Sequence, residues 1–489
     1  MSIKTRFPPS PTGYLHIGSL RTALYNYLLA KKLGGTFLLR VEDTDQSRLV
    51  EGAVENLLTT LKVAGINHDE GPVLNEDGSI TSVGDNGPYV QSERLDIYKE
   101  HAQKLLDGGH AYYCFCSKER LDEVRKQQQI AKMQTKYDRK CVGLDQAEAL
   151  KRIEAGESYV VRLQIPDGET TFADEVRGSI TISNSEIDDQ VLVKADGFPT
   201  YHLAVVVDDH LMGVTHVVRG EEWISSVPKH VVLYNAFNFT LPVFAHLPLI
   251  LNPDKSKLSK RQGDVAVEDF LKKGYLPEAL NNFVALLGFN PSGDQEVYSM
   301  QELIDAFDLK KINKSGAIFD PVKLGWMNGV YIKAMDHDEL VKKTQNIFDE
   351  AGESVDSELL SKMLVVEKER LTVLNEMLER TQMYTTTPEY DDEILVWKKS
   401  DKADALKQLT DVLVVIESID DATFSKKELI EEVVKEYISS NELSNGNVLW
   451  PMRVALSGQK NSPGPFDMAW VLGKEEAVAR LTTAVEKLS

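Results

Sequence analysis

Two short stretches carry the residue types for chemistry on a phosphate. The first is TRFPPSPTGYLHIGSL, residues 5–20, where Pro8, Pro9, Pro11 and Gly13 crowd a turn just ahead of His16 and Gly18. The second is KLSKR, residues 257–261, inside the polar run NPDKSKLSKRQG. A tight turn that hands over to a helix aims backbone N–H groups and the positive end of the helix dipole at whatever lies above it, which suits phosphate. His16 and Gly18 set an imidazole and a bare backbone facing whatever lies over that loop, and KLSKR is a short run of cations. The loop is no Walker loop, because GxxxxGK[ST] is absent. Each half also has an ordinary reading. A histidine at a helix start is commonly a satisfied structural group, and a short Lys/Arg run is commonly a solvated loop.

These residues need elements to hold them. Ile17, Leu20, Leu24, Tyr27 and Leu28 share one face of a helix. Residues 36–41 (TFLLRV) read as a buried parallel strand that ends at Glu42, Asp43 and Asp45, followed by an amphipathic helix over 52–64 and a short strand at 65–67. This β-α-β-α-β rhythm indicates a doubly wound α/β nucleotide-binding fold. Glu42 then lies off the C-terminal end of a strand, where such sheets bind ligands, whereas Asp43 and Asp45 read as helix caps. Residues 70–87 turn polar and Gly-rich, which marks an insertion with a helix at 94–106 and strands at 111–116, 157–163 and 178–182. VLVKADG and PTYHLAVVVDDH restore the first rhythm after about residue 189. A helix at 231–237 and a strand at 244–251 lead directly into KLSKR. Short helices at 267–273, 277–287 and 300–307 follow, with Lys310, Lys311 and Lys314 as a compact basic cluster. From residue 336 onward the pattern is helical, and Pro451 is expected at a helix start.

At 489 residues the chain exceeds one ordinary core, so two to four domains are expected. A composition 42% hydrophobic and 27% charged is that of a soluble globular protein. No membrane-length apolar run and no signal-peptide core stand out, which makes the cytoplasm the default compartment. The net charge of −21 argues, taken alone, against a nucleic-acid binder, yet a nucleic acid needs only a local basic track. The three cysteines, Cys114, Cys116 and Cys141, are either buried small hydrophobes or a metal-ligand set without an obvious fourth member.

Taken together, SPTGYLHIGS and KLSKR resemble the two ATP-binding signatures of class I aminoacyl-tRNA synthetases. TFLLRVEDTDQ at 36–46 and GFPTYHLAVVVDDHLMGVTHVVRGEEW at 197–223 are similar to glutamyl-tRNA synthetases, and the similarity runs from Ser2 to RVALSG at 453–458. The resemblance implies a Rossmann-like catalytic domain split between residues 1–75 and 190–255, an insertion over 76–189 that packs on the acceptor end of tRNA, and a KLSKR loop with stem-contact helices over 256–325. An all-helical anticodon-binding domain over 326–489 completes it. The expected reaction is ATP-dependent ligation of L-glutamate to tRNA-Glu with Mg²⁺, by a monomer away from any membrane. Charging of tRNA-Gln is left open.

By the same resemblance, Pro11, Thr12, Gly13, His16, Gly18, Glu222, Lys257 and Lys260 bind ATP, with His16, Lys257, Lys260 and Arg261 catalytic. Glutamate carries two carboxylates and an ammonium, so its pocket wants a guanidinium and an acid. Arg219 is implied for the side-chain carboxylate and Glu42 for the ammonium, with Arg6, Ser10, Tyr201 and Trp223 completing the wall. Arg6 also reads as a surface strand residue, and Tyr201 as core. Many members have Asn where this chain has Val205. The family's zinc pattern ends in Cys-x-His, and Gly143 takes the His position here. Related sequences use Tyr-x-x-x-Cys, which makes Cys114, Cys116, Tyr137 and Cys141 the expected zinc ligands. Competing readings are a small-molecule adenylyltransferase, for which the helical tail is superfluous, and a tRNA-binding module without catalysis.

Overall fold

A computed structural model describes residues 2–258, 266–291 and 293–489, so Lys260 and Arg261 lie outside the described residues. The chain forms two units: Met1–Lys272 with Pro277–Leu324, and Lys273–Leu276 with Gly325–Ser489.

The first unit opens with β1 (Lys4–Phe7), α1 (Ile17–Lys32) and β2 (Thr36–Leu39). β1 and β2 are parallel, from Lys4↔Thr36 to Phe7↔Leu39. Burial of Ile17, Leu20, Leu24 and Leu28 seats α1 on them. Next comes α2 (Ala53–Val63). The strand expected at 65–67 is absent, because those residues are used to end α2. Gly65 adopts φ +69 and the Ile66 N–H reaches back to the Leu61 carbonyl at 2.9 Å, a left-handed cap that ends α2, and pairing with β2 begins only beyond it, where the Asp69 N–H donates to the Phe37 carbonyl at 2.8 Å. Extended structure resumes at β3 (Gly71–Leu74), antiparallel to β4 (Ile80–Val83).

Within the interval expected to be inserted lie α3 (Leu95–Asp107), β5 (Ala111–Cys114), α4 (Lys118–Ile130), α5 (Gln146–Glu154), β6 (Val160–Leu163), β7 (Glu169–Asp174) and β8 (Gly178–Ser183). β9 (Val191–Val193), α6 (Tyr201–Leu211), β10 (His216–Gly220), α7 (Val227–Ala236), β11 (Val243–Leu247) and β12 (Ile250–Leu251) follow. Two sheets organise them: β5-β6-β9, and β10-β11-β7-β8. β10 and β11 are parallel from His216↔Val243 to Gly220↔Leu247, and β7 joins β11 at Asp174↔Phe244. The β7–β8 hairpin therefore continues the β10–β11 sheet although it falls in the interval expected to be inserted. β1 lies beside β10, where the Thr215 N–H donates to the Lys4 carbonyl at 2.9 Å. Proline at 248 separates β11 from β12.

The second unit is helical, with no strand among its described residues. Its core includes Leu340, Leu360, Met363, Leu364, Leu409, Val412 and Ile416, all wholly buried. Pro451 does not start a helix but lies inside Asn445–Ser457. The Asn447 and Val448 N–H groups already bond back to the Ser444 carbonyl, so nucleation is complete before the proline. What Pro451 forgoes is one donor to the Asn447 carbonyl in a buried helix held by packing. No described helix is long and apolar enough to cross a membrane.

Candidate active site

A cavity of about 820 Å³ opens over the C-terminal ends of β1 and β10 and the start of α1. This is where parallel α/β sheets take ligands, and the volume suits a nucleotide with a small partner.

His16 caps α1 from extended backbone, and its Nδ1 accepts the Gly18 N–H at 2.9 Å. An accepting Nδ1 leaves the proton of the neutral ring on Nε2, so the imidazole is a fixed donor through that atom. A methyl group at Gly18 would stand 3.3 Å from His16 Nδ1. Glycine there protects the imidazole's placement as well as opening the cavity.

The distant segment returns to the same spot. After β12, the Asn252 N–H donates to the Ser256 carbonyl at 2.8 Å, and Leu251 pairs with Lys257 across an antiparallel bridge. Lys257 and Leu258 line the cavity. Ala266 pairs with His16, and the Val267 N–H donates to the Leu15 carbonyl at 2.9 Å. The Ala266 end is thus bonded to the His16 turn, while Lys257, some 240 positions from His16 in sequence, lines the same cavity from beside β12.

Ser10, Thr12, His16, Gly18, Glu222 and Lys257 face the cavity, as do Arg6, Glu42, Tyr201, Arg219 and Trp223. Pro11 and Gly13 do not. Pro11 is buried beneath the turn with its carbonyl taken by the Val50 N–H at 3.0 Å, and Gly13, at φ +142, redirects the chain. Val205 is buried in α6 and also lies off the cavity.

On the amino-acid side, Arg219 is 5% exposed. Its Nε donates to His246 Nε2 at 3.1 Å and its Nη1 to the Tyr201 hydroxyl at 2.6 Å. Nη2 reaches the Trp223 carbonyl at 3.4 Å and His230 Nδ1 at 3.5 Å. Among the described residues no carboxylate touches it. Burial holds His230 well below its ordinary value and His202, 3.1 Å away, down to about 3, so both rings stay neutral. Tyr201 and Trp223 pack at 4.5 Å between ring centroids, tilted by 44°, and wall the pocket.

Opposite stands a buried charge network that the sequence pattern did not reveal. Arg40 reaches Glu42 at 3.0 Å and Asp209 at 2.8 Å, Arg6 reaches Asp209 at 3.2 Å, and Arg94 reaches Asp208 at 2.8 Å. Both Nη atoms of the fully buried Arg6 have no hydrogen-bond partner among the described residues. Arg6 lines the cavity, and its Nε is paired with Asp209. Burial pushes the Glu42 carboxyl up to about 7 despite Arg40 and Arg6 beside it. A signal for this network was present: an Asp-Asp pair inside the apolar helix LAVVVDDH and an arginine inside TFLLRV are polar residues at core positions.

Sequence reading also missed Arg21, Arg48 and Lys194, three cations on the cavity wall. Lys194 follows β9 and donates to the Thr44 carbonyl at 3.2 Å. Arg21 is held in α1 by the Leu287 carbonyl at 2.9 Å.

A second cluster lies at the end of β5. The thiol sulfurs of Cys114, Cys116 and Cys141 all fall within 4.8 Å of one another. Cys116 and Cys141 sulfurs are 3.6 Å apart, near the roughly 3.8 Å edge of a tetrahedron with zinc–sulfur bonds of about 2.3 Å. The Tyr137 hydroxyl stands 3.4 Å from both Cys114 and Cys116 sulfurs, on the fourth side. The donor set therefore fits one tetrahedral ion.

The His16 turn and the Lys257 segment meet over one cavity at the strand ends of a parallel α/β sheet. Residues 2–326 match the family of class I tRNA synthetases (E and Q), catalytic domain, and residues 339–485 match an anticodon binding domain. Among curated relatives, the glutamate–tRNA ligase of Clostridium botulinum strain Hall is 48% identical, covering 99% of this chain and 98% of its own. That of Alkaliphilus metalliredigens is 48% identical over 100% and 99%. The crystal structure of a glutamate tRNA ligase from Elizabethkingia meningosepticum, in complex with its amino acid, covers 100% of both chains with a TM-score of 0.90 at 35% identity. The chain belongs to the glutamate–tRNA ligase family.

Proposed function

We propose that the chain ligates L-glutamate to tRNA-Glu in two steps at this cavity. In the first, a glutamate α-carboxylate oxygen attacks the α-phosphorus of ATP, and the bond to the β-phosphate oxygen breaks to release diphosphate. In the second, a terminal ribose hydroxyl of tRNA attacks the carbonyl of the mixed anhydride. AMP leaves with the bonding electrons, and the hydroxyl proton is lost. Neither step needs a covalent enzyme intermediate, so alignment and charge stabilisation carry the rate.

His16 Nε2–H and Lys257 serve as donors to the phosphates, joined by Lys260 and Arg261. Ser10, Thr12, Gly18 and Glu222 face the nucleotide and amino acid, while Pro11 and Gly13 shape the turn that presents them. Arg219 takes the side-chain carboxylate, with the orphaned edge of Arg6 adding positive potential. Glu42 takes the ammonium, and Tyr201 with Trp223 excludes water. Mg²⁺ would enter on the ATP phosphates and neutralise charge on the leaving diphosphate. Cys114, Cys116, Cys141 and Tyr137 would hold a Zn²⁺ that ties β5 to the loop after α4. The cytoplasm, a monomeric state and docking of residues 326–489 on the anticodon are part of the same reading.

The observation that carries the amino-acid assignment is Arg219: a buried cation with neutral hydrogen-bond partners, across one cavity from Glu42. The test is aminoacylation of purified tRNA-Glu with labelled glutamate, alongside ATP–diphosphate exchange with and without tRNA. Glutamyl-tRNA formation and tRNA-dependent exchange are expected. Absence of glutamyl-tRNA under all conditions overturns the assignment. The same assay with tRNA-Gln measures how strictly the tail selects its tRNA.

A further inference from the structure

Arg219 is not held by chance packing. Its Nε points at His246 Nε2 at 3.1 Å, and the other nitrogen of that ring, Nδ1, lies 2.6 Å from Asp174 Oδ2. His246 is wholly buried, Asp174 nearly so, and neither lines the cavity. Asp174 Oδ1 is already engaged, accepting the Val176 N–H at 3.0 Å and the Arg177 N–H at 2.8 Å in the turn that joins β7 to β8. The arrangement dictates one proton position. A carboxylate can only accept, so Nδ1 of His246 carries the hydrogen and Nε2 presents a lone pair to the Arg219 Nε–H.

We propose that Asp174 and His246 are positioning residues for the amino-acid carboxylate: by fixing the imidazole proton on Nδ1 they hold Arg219 through Nε and turn its Nη nitrogens to the cavity. This rests on the reading of Arg219 as the side-chain carboxylate site. Asp174 is contributed by β7 of the inserted interval, His246 by β11 and Arg219 by β10, so the inserted hairpin reaches the specificity arginine through one ring. The neighbouring close ion pair of Arg177 with Glu221, whose Oε1 accepts the Leu249 N–H at 2.9 Å, fastens the same turn to the same strand ends.

Asp174→Asn tests the proton rather than the shape. The turn's two N–H groups require the amide oxygen at the Oδ1 place, so the NH₂ faces His246 Nδ1. That forces Nδ1 to accept and puts the ring proton on Nε2, donor against the donor Nε–H of Arg219. His246→Phe removes the link altogether. His246→Gln retains an acceptor for Arg219 and a donor for Asp174. Aminoacylation kinetics of the full chain, at saturating tRNA, should show the glutamate KM of Asp174→Asn and His246→Phe raised by about tenfold or more, with the ATP KM within about twofold. His246→Gln should return to within about threefold of the parent.

A glutamate KM unchanged in Asp174→Asn, or an ATP KM that moves equally, overturns the proposal. If Asp174→Asn does not fold, the Phe and Gln variants decide: equal glutamate KM in both refutes positioning. Arg219→Gln is the control. If it too leaves the glutamate KM unchanged, the underlying carboxylate reading fails; if it raises that KM while Asp174→Asn does not, only the positioning claim fails.

Discussion

Lowering the pH from 8 to 6 should weaken glutamate binding through one buried group, Glu42. The carboxyl faces Arg40, Arg6, Asp209 and Gln91, with Asp208 behind, and burial lifts it to about 7 in the ligand-free site. The substrate ammonium pairs only with the ionised form, so the fraction of sites ready to bind changes across this interval. With a midpoint near 7, about nine-tenths of the sites are ionised at pH 8 and about one-tenth at pH 6, and each pH unit is worth about 1.4 kcal/mol. The glutamate KM should therefore rise roughly tenfold between pH 8 and pH 6, with one proton released per glutamate bound near the lower end. KM is measured at saturating ATP and tRNA, and calorimetry in two buffers of different ionisation enthalpy counts the proton. Glu42→Gln should bind glutamate about 10- to 100-fold more weakly, from loss of a charge-assisted hydrogen bond, and its KM should be flat with pH. A parent KM that does not change between pH 6 and 8, or a slope that survives in Glu42→Gln, refutes the reasoning. The same raised carboxyl has a stability counterpart of definite sign. Its contribution to the ligand-free fold is full below the ordinary value of 4.5 and is lost as pH climbs through about 7.

Arg219→Gln should lower kcat/KM for glutamate by about 10²- to 10³-fold, the cost of leaving a buried carboxylate without its guanidinium, while barely changing the KM for ATP. Gly18→Ala should lower kcat by about tenfold or more with little change in thermal midpoint, because the new methyl presses on His16 Nδ1 from 3.3 Å and displaces the imidazole. Exhaustive chelation should release about one zinc per chain, and Cys116→Ser should lower the metal content measured by atomic absorption. Arg480→Leu should destabilise the helical unit by about 3 kcal/mol or more in chemical unfolding, since the buried guanidinium binds the carbonyls of Met383, Tyr384, Thr386 and Leu456.

Those residues differ in how far the amino-acid order announces them. The His16 turn, the KLSKR run and the Arg219 strand are legible because each depends on local chemistry: glycine and proline where the backbone must turn, cations in a polar loop, an arginine at the end of an apolar strand. Helices of the tail are legible for the same reason, since an apolar face repeats within a few residues. The exceptions are equally instructive. Gly65 and Ile66 look like a strand until α2 needs a left-handed cap, and Pro451 looks like a helix start until packing supports a helix around it.

By itself, then, the sequence determined which segments turn, which helices bury which face, and which residue types stand ready for phosphate and carboxylate. Only the tertiary structure decided their pairing. Arg6 meets Asp209 across 203 positions and Arg40 meets it across 169, separations over which no local pattern carries information. The proton position on His246 and the raised Glu42 carboxyl belong to the same class. Each is set by burial and by partners from other strands, and burial exists only once the chain has closed on itself.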